Sequence, residues 1–194
     1  MFSLRFSRAA AGVLAAALVL SACSTGAATG TAATASAPAA SAVVFNDTDV
    51  SFAMPMVDHH KQAITMAETM LAKTGVDPRV MSLAQQIKAA QGPEIALMDS
   101  WVADWGATTD NMPGMDMSVG YMSEADMAAL DAATGPAADR LFLRQMIQHH
   151  QGAIDMAAVE LKSGQNPDAR DLATKITADQ TAQIAEMHTV LDTM

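Results

Sequence analysis

Apolar residues recur along most of the chain at intervals of three and four, the spacing that puts side chains on one face of an α-helix. Aromatic residues are sparse and Ala, Leu, Met and Gln are common, so strand signals are nearly absent. The periodic segments predict four long helices, at about 49–73, 78–104, 137–162 and 167–193. We therefore expect an all-α fold.

The predicted helices are joined in pairs by short turns. Gly75 and Gly164 suit the position that follows a helix end. The Asp-Pro pair at 77–78 and the Asn-Pro pair at 166–167 suit an N-cap followed by a proline in the first helical turn. Because short turns make the helices they join antiparallel neighbours, the sequence predicts two helical hairpins in a four-helix bundle.

The two predicted hairpins are copies of one another. The phrase M-h-x-H-H-x-x-A-I-x-M-A, where h is apolar, begins at Met56 and again at Met146, 90 positions later. Matches in the second helix of each pair, such as Ile87 with Ile176, lie 89 positions apart. The repeat covers both helices and the turn between them, so we expect the two hairpins to be related by pseudo-symmetry.

A longer segment, at about 106–135, connects the hairpins. Residues 123–126 read Ser-Glu-Ala-Asp, a capping box that predicts one short helix. A long crossover of this kind is what a ferritin-like bundle needs, although a simple up-down bundle fits the same pattern. The segment also carries a run of methionines, which are Met112, Met115 and Met117.

The N-terminus has the features of an exported lipoprotein. Arg5 and Arg8 precede an apolar run that is too short and too rich in alanine for a membrane span. The run ends at Leu-Ser-Ala-Cys, positions 20–23, which resembles a bacterial lipobox whose cysteine carries lipid; a plain secretory signal is the alternative. The sequence thus predicts a signal peptide at 1–22, the lipidated Cys23 with a flexible Ala/Thr/Ser linker at 23–47, and a duplicated helical domain at 48–194.

Composition indicates where the protein is located and argues against some classes of partner. The formal net charge is −10, and it becomes −12 without the two arginines of the signal, which argues against nucleic acid and anionic lipid surfaces as partners. Cys23 is the only cysteine, so the mature protein has no disulfide and no thiolate metal site. We expect a protein on the outer side of a bacterial cytoplasmic membrane or in the cell envelope, held there by its lipid.

Four of the five histidines lie in the two copies of the repeated phrase. Imidazole and thioether groups together favour soft or borderline metals, copper above all. Packing explains a single histidine or methionine in an apolar stripe at least as well, but it has no use for two adjacent titratable rings in both copies. On a helix the second ring is turned about 100° from the first, toward the core or a neighbouring helix. The predicted ligands are His59, His60, His149 and His150, with the thioethers of Met56, Met66, Met146 and Met156.

The second helix of each hairpin places polar residues within its apolar stripe. Buried polar groups need partners, which a metal or a hydrogen bond to a ligating imidazole would supply. These further ligands or supporting residues are Gln91, Glu94 and Met98 in one hairpin, and Gln180, Gln183 and Met187 in the other. The Met112, Met115 and Met117 run forms another candidate set, because such loops look like Cu(I)-collecting segments of exported copper proteins; a loop that caps one end of the bundle explains the run equally well.

The duplicated histidine phrase, the Asp/Asn-Pro turn and the pattern L-A-x-x-I-x-x-x-Q-x-x-E/Q-I-x-x-M together resemble a bacterial family known as domain of unknown function 305. The resemblance covers about 49–193. It implies a ferritin-like helical bundle, an exported or membrane-anchored location and, for some members, copper binding and tolerance. Members often have proline directly before the His-His pair, whereas Asp58 and Gln148 stand there in this chain and Pro55 lies three residues earlier than Asp58.

These patterns favour a binding protein that sequesters or delivers Cu(I) or Cu(II), with other transition metals as alternatives and a copper-handling protein as its partner. Copper affinity is expected to fall as the pH drops through about 6.5, because neutral imidazole is the ligand. A ferritin-like di-metal redox enzyme is the alternative, but no Glu stands three residues before any histidine, as that pattern requires. A helical interaction module without metal is the other alternative. We do not expect an enzyme.

Overall fold

The computed structural model describes residues 44–108 and 120–194, which form five helices and no strand. The helices are α1 (Asp47–Leu71), α2 (Pro78–Asp104), α3 (Glu124–Ala132), α4 (Gly135–Ser163) and α5 (Pro167–Leu191). The all-α prediction is confirmed, and each end of the four long helices lies within two residues of its predicted position.

The helix ends use the residues that the sequence singled out. Asp77 and Asn166 cap α2 and α5, each accepting a hydrogen bond from a backbone N–H of the first turn. Ser123 forms the predicted capping box of α3 with Asp126. Gly75 has a φ of 72°, as a left-handed residue after a helix end should. Gly164 differs, because its φ of −67° is one that any residue can adopt.

The long helices form two antiparallel hairpins, α1–α2 and α4–α5, which meet mainly where α1 packs against α4. The C-terminal half of α1 shares a core cluster with the N-terminal half of α4, so these two helices are also antiparallel. It follows that α2 and α4 run in the same direction, and the connection between them must return along the length of the bundle. This is the topology of a ferritin-like bundle.

The short helix α3 covers one end of the groove between α1 and α4. Its Leu130 is fully buried in the core beneath it. The side chains of Lys73 and Gln145 donate hydrogen bonds to backbone oxygens of α3, at Asp131 and Asp126. The pseudo-equivalent groove at the other end of α1 and α4 has no such cover among the described residues. Its lining includes Phe52, Pro55, Met156 and Val159, of which Val159 is 58 % exposed.

The core consists of two apolar clusters separated by a polar layer. The first cluster includes Met66, Leu83, Ile87, Met146 and Met187. The second contains the repeat partners of these residues, which are Met156, Leu172, Ile176, Met56 and Met98. The pseudo-symmetry therefore exchanges the two clusters across the layer, and the layer itself lies at the centre of the symmetry.

Each hairpin also supports the turn of the other through a buried aspartate near the start of its first helix. Asp49 of α1 accepts hydrogen bonds from the backbone N–H groups of Asn46, Gln165 and Asn166, the last two in the α4–α5 turn. Its repeat partner, Asp139 of α4, accepts one from the N–H of Asp77 in the α1–α2 turn. This exchange was not predicted, although the 90-residue spacing of the two aspartates was a signal for it.

Several predictions concern residues outside those that the structure describes. They are the signal peptide at 1–22, the lipidation of Cys23, the linker up to residue 43, and the roles of Met112, Met115 and Met117. Within the described ranges, no helix is long and apolar enough to cross a membrane.

Candidate metal centre

All four histidines of the repeated phrase lie in the polar layer, and each is fully buried. His59 of α1 and His149 of α4 face each other across the interface between the hairpins, with ring centroids 3.6 Å apart and ring planes tilted by 34°. These two residues are repeat partners, and a two-fold relation brings equivalent positions together near its axis. The structure thus unites two candidates that lie 90 positions apart in the chain.

His60 and His150 turn away from this pair, each toward the second helix of its own hairpin. The Nε2 of His60 lies 3.0 Å from Glu94 Oε2 on α2, and the Nε2 of His150 lies 2.7 Å from Gln183 Oε1 on α5. A carboxylate and an amide oxygen only accept hydrogen bonds, so each Nε2 carries the proton. The Nδ1 of each ring is then the unprotonated nitrogen, which is the form that binds a metal.

Most of the polar atoms in the layer have no hydrogen-bond partner of good geometry. They include both ring nitrogens of His59 and His149, the Nδ1 atoms of His60 and His150, and both side-chain polar atoms of Gln91. The Oε1 of Gln180 is also unpaired. An unpaired buried polar group costs about 1–3 kcal/mol, so packing alone is a poor reason to bury so many. A metal ion with imidazole ligands fits this set of donors, and copper suits imidazole and thioether together.

Burial favours the neutral form of His59, His149 and His150. It is the largest cause that lowers the pKa of His59 to about 3 and that of His150 to about 4, and it holds the pKa of His149 well below its usual value. Neighbouring histidines lower the pKa of all three further. Competition between protons and a metal should therefore begin well below the pH of about 6.5 that the sequence suggested.

The carboxylate of Glu94 is fixed on both sides. Its Oε2 accepts from His60, and its Oε1 accepts from the Nζ of Lys175 on α5, at 2.9 Å. Burial alone would raise the pKa of Glu94, but the hydrogen bonds from His60 and Lys175 outweigh it and lower the pKa. Glu94 is thus a carboxylate whose two oxygens are already committed.

The candidate methionines divide between the two faces of the layer. Met56, Met98 and Met156 lie in the cluster on one face, and Met66, Met146 and Met187 lie in the cluster on the other. The four predicted thioether ligands therefore do not meet at one point but form two pairs. All six are buried, and Met156 keeps 8 % exposure at its groove whereas its repeat partner Met66 has none.

Residues 120–122 of the returning connection cover the layer, a contact that the sequence did not predict. Tyr121 packs edge-on against His59, with ring centroids 5.3 Å apart, and its hydroxyl donates to the Pro55 carbonyl at 3.0 Å. The side chain of Gln62 exchanges two hydrogen bonds with the backbone of Met122. Helix α1 runs unbroken through Pro55, and the Pro55 carbonyl also accepts the hydrogen bond from Tyr121.

A pair of glycines allows the connection to approach so closely. Gly120 has a φ of 78°, and a Cβ on it would lie 2.6 Å from the Cα of Gly152 and 2.9 Å from Nε2 of His59. Gly152 is the repeat partner of Gln62. A glycine at the place where the repeat has glutamine was the available sequence signal for a close contact.

The layer is not a complete site of the usual kind. Among the described residues, no three His, Cys, Asp or Glu side chains are arranged closely enough to hold a metal ion. The layer offers pairs of nitrogens, with thioethers above and below. A metal ion bound here would have imidazole ligands together with thioether or amide ligands, as the residues predicted from the sequence imply.

Residues 49–191 match the profile of the family described as domain of unknown function DUF305. The chain belongs to the DUF305 family. The match covers both hairpins and the connection between them. Both copies of the histidine phrase therefore lie within the family region.

Solved structures of other DUF305 proteins resemble this chain. A fragment from Deinococcus radiodurans is 32% identical, with a TM-score of 0.68, and the alignment covers 77% of this chain and 98% of that one. A candidate secreted DUF305 protein from Streptomyces coelicolor is 26% identical, with a TM-score of 0.68, over 75% of this chain and 92% of that one. No curated protein matches the sequence.

A third similar structure is that of CopM, which is 30% identical in its Cu(I)-bound form, with a TM-score of 0.61, over 75% of this chain and 96% of CopM. CopM has also been solved in Cu(II)-bound and Ag-bound forms. A protein with this fold and this degree of identity therefore holds copper in both oxidation states.

Proposed function

We propose that this DUF305 protein is a copper-binding protein that holds the ion in the histidine layer, outside the cytoplasmic membrane. Its role is to sequester copper or to hand it to another copper-handling protein, rather than to catalyse a reaction. The observation that carries the proposal is the set of six imidazole nitrogens that are buried without partners between two groups of methionines.

The imidazoles are the principal ligands in this proposal. His60 and His150 present Nδ1, because Glu94 and Gln183 hold their Nε2–H groups. His59 and His149 have both nitrogens available. Met56 and Met156 supply thioethers from one face of the layer and Met66 and Met146 from the other, which suits Cu(I), while the imidazoles suit either oxidation state. The copper- and silver-bound forms of CopM support this choice of metal.

The test is to replace all four layer histidines by alanine and to titrate the protein with Cu(I) and Cu(II) against chelators of known affinity. We expect tight binding to be lost, by at least about 100-fold, while helicity by circular dichroism stays largely unchanged. The matched control is His188→Ala, because His188 is the fifth histidine and is exposed on α5. Unchanged affinity in the fourfold variant would refute the layer as the site and direct attention to Met112, Met115 and Met117.

The location is part of the proposal and rests on the sequence. Cys23 follows an apolar run and two small residues, the arrangement that resembles a lipobox. We expect the protein to be anchored by lipid on Cys23, with the linker that follows Cys23 and ends before Val44 separating the bundle from the membrane. In cell fractionation, Cys23→Ser should leave the membrane fraction or remain unprocessed; a variant that stays with the membrane as the wild type does would contradict the anchor.

A further inference from the structure

The second histidines of the two hairpins meet acceptors that are equivalent in the repeat but different in chemistry. Glu94 and Gln183 are repeat partners, and each accepts the Nε2–H of the second histidine in its own hairpin, at 3.0 Å and 2.7 Å. The two contacts have the same geometry but differ in charge, because one acceptor is a carboxyl group and the other a neutral amide.

Lys175 holds the Glu94 carboxylate in this contact, and Asp179 balances the charge of Lys175. The Nζ of Lys175 lies 2.9 Å from the second oxygen of Glu94 and 2.6 Å from Asp179, so it holds Glu94 with Oε2 facing His60. The repeat partner of Lys175 is Gln86, an uncharged residue that donates to Ser82. The acceptor beside His60 is therefore a carboxylate held in place by Lys175, whereas the acceptor beside His150 is a neutral amide.

A carboxylate that accepts the N–H of an imidazole makes the other ring nitrogen more basic and places negative charge near the metal. Both effects stabilise the more highly charged ion. An amide oxygen orients the ring in the same way but adds no net charge, so it leaves the ligand softer and better suited to a monovalent ion.

We propose that Glu94 and Gln183 make the two ends of the histidine layer unequal, so that His60 favours Cu(II) and His150 favours Cu(I). The inference rests on the proposed copper binding and deepens it. Glu94 and Gln183 act here as positioning residues, through the imidazoles, and neither needs to touch the ion.

The experiment compares Glu94→Gln, Gln183→Glu and the wild-type protein. Each is titrated with Cu(I) and with Cu(II) against competing chelators, which gives the ratio of the two affinities. In Glu94→Gln the preference for Cu(II) should fall by about tenfold, the smaller effect typical of a changed supporting residue. Tenfold corresponds to a rise of about 59 mV in the reduction potential of the bound copper. Gln183→Glu should shift the ratio in the opposite direction.

These substitutions are suited to the test because each places at one position the residue that the other hairpin already uses in the same contact. Unfolding of the metal-free variants by denaturant gives their stability independently of copper. A ratio that changes in opposite directions in the two variants supports the inference. A ratio that stays within twofold of the wild type in both, or equal losses of Cu(I) and Cu(II) affinity, would overturn it. Failure of the wild-type protein to bind either ion would instead refute the proposed function itself.

Discussion

The two hairpins share a repeat, yet they do not bury the same groups. The four histidines of the layer, and Gln91 with Gln180, are the same in both copies, and His59 and His149 meet as partners. Away from it the copies diverge: Met70 in α1 corresponds to the buried Glu160 in α4, and Gln62 corresponds to Gly152. The comparison shows that the histidines are kept where the two halves meet, whereas residues that meet a different neighbour in each half have diverged.

Glu160 is the clearest case of divergence. It is fully buried, and neither carboxyl oxygen has a hydrogen-bond partner of good geometry. Burial, and then the nearby carboxyl of Asp49, raise the pKa of Glu160 to about 8, with Arg170 acting in the opposite direction. The α4 hairpin therefore carries a titratable group that the α1 hairpin replaces with an apolar one.

The largest expected effect comes from removing that group with Glu160→Gln. Because the pKa of Glu160 is higher in the folded than in the unfolded state, its contribution to stability is fully present below about pH 4.5 and is lost as the pH rises toward 8. The loss is at most about 1.4 kcal/mol per pH unit in that window. Urea unfolding at pH 5 and pH 8 should show Glu160→Gln gaining stability relative to wild type as the pH rises.

The matched variant Glu160→Met copies the residue of the other hairpin and should show the same loss of pH dependence. If both variants keep the wild-type slope between pH 5 and pH 8, Glu160 is not the group that titrates.

A second comparison concerns the two aspartates that support the turns. Asp49 accepts three backbone hydrogen bonds at the α4–α5 turn and its own helix start, whereas Asp139 accepts one at the α1–α2 turn. Hydrogen bonds to charged groups contribute about 1.5–3 kcal/mol each. We expect Asp49→Ala to destabilise the protein by several kcal/mol and Asp139→Ala by about half as much or less, as measured by denaturant unfolding. Equal losses would show that the two turns depend on their aspartates alike.

The smallest of these effects should come from positions 62 and 152. A Cβ on Gly152 would lie 2.4 Å from the Cα of Gly120, so Gly152→Ala must shift backbone and should cost about 1–3 kcal/mol. Gln62→Ala removes two hydrogen bonds to Met122 and should cost about 1–2 kcal/mol. Hydrogen exchange of the Met122 amide reports whether the cover loosens. An amide as protected in both variants as in wild type would show that neither position holds the connection.

The sequence was sufficient for the helices and the hairpins because their signals are local. Apolar spacing, the Asp77 and Asn166 caps and the repeat itself predicted the bundle, and the second histidines indeed point to Glu94 and Gln183. The sequence did not predict the contacts between distant segments. The spacing placed the four predicted thioether ligands on the same helix faces as the first histidines. It could not show that the antiparallel packing of α1 and α4 puts two of these methionines on each side of the histidine layer.

The cover by Tyr121 and the bridge from Lys175 to Glu94 depend on how the connection and α5 lie against other helices. The periodicity within one segment cannot predict a contact of that segment with a distant one. The sequence showed that Gly152 departs from the repeat, which has Gln62 at the equivalent position. Only the structure showed that Gly120 packs against Gly152.

Residues 120–122 touch both position 62 and position 152, which are equivalents in the repeat, so they lie where the axis of the pseudo-symmetry passes. An axis can be crossed by one segment only. Two separate hairpins that associated as identical subunits could not both send a peptide through that place. Joining the hairpins into one polypeptide therefore makes the two halves unequal at this place.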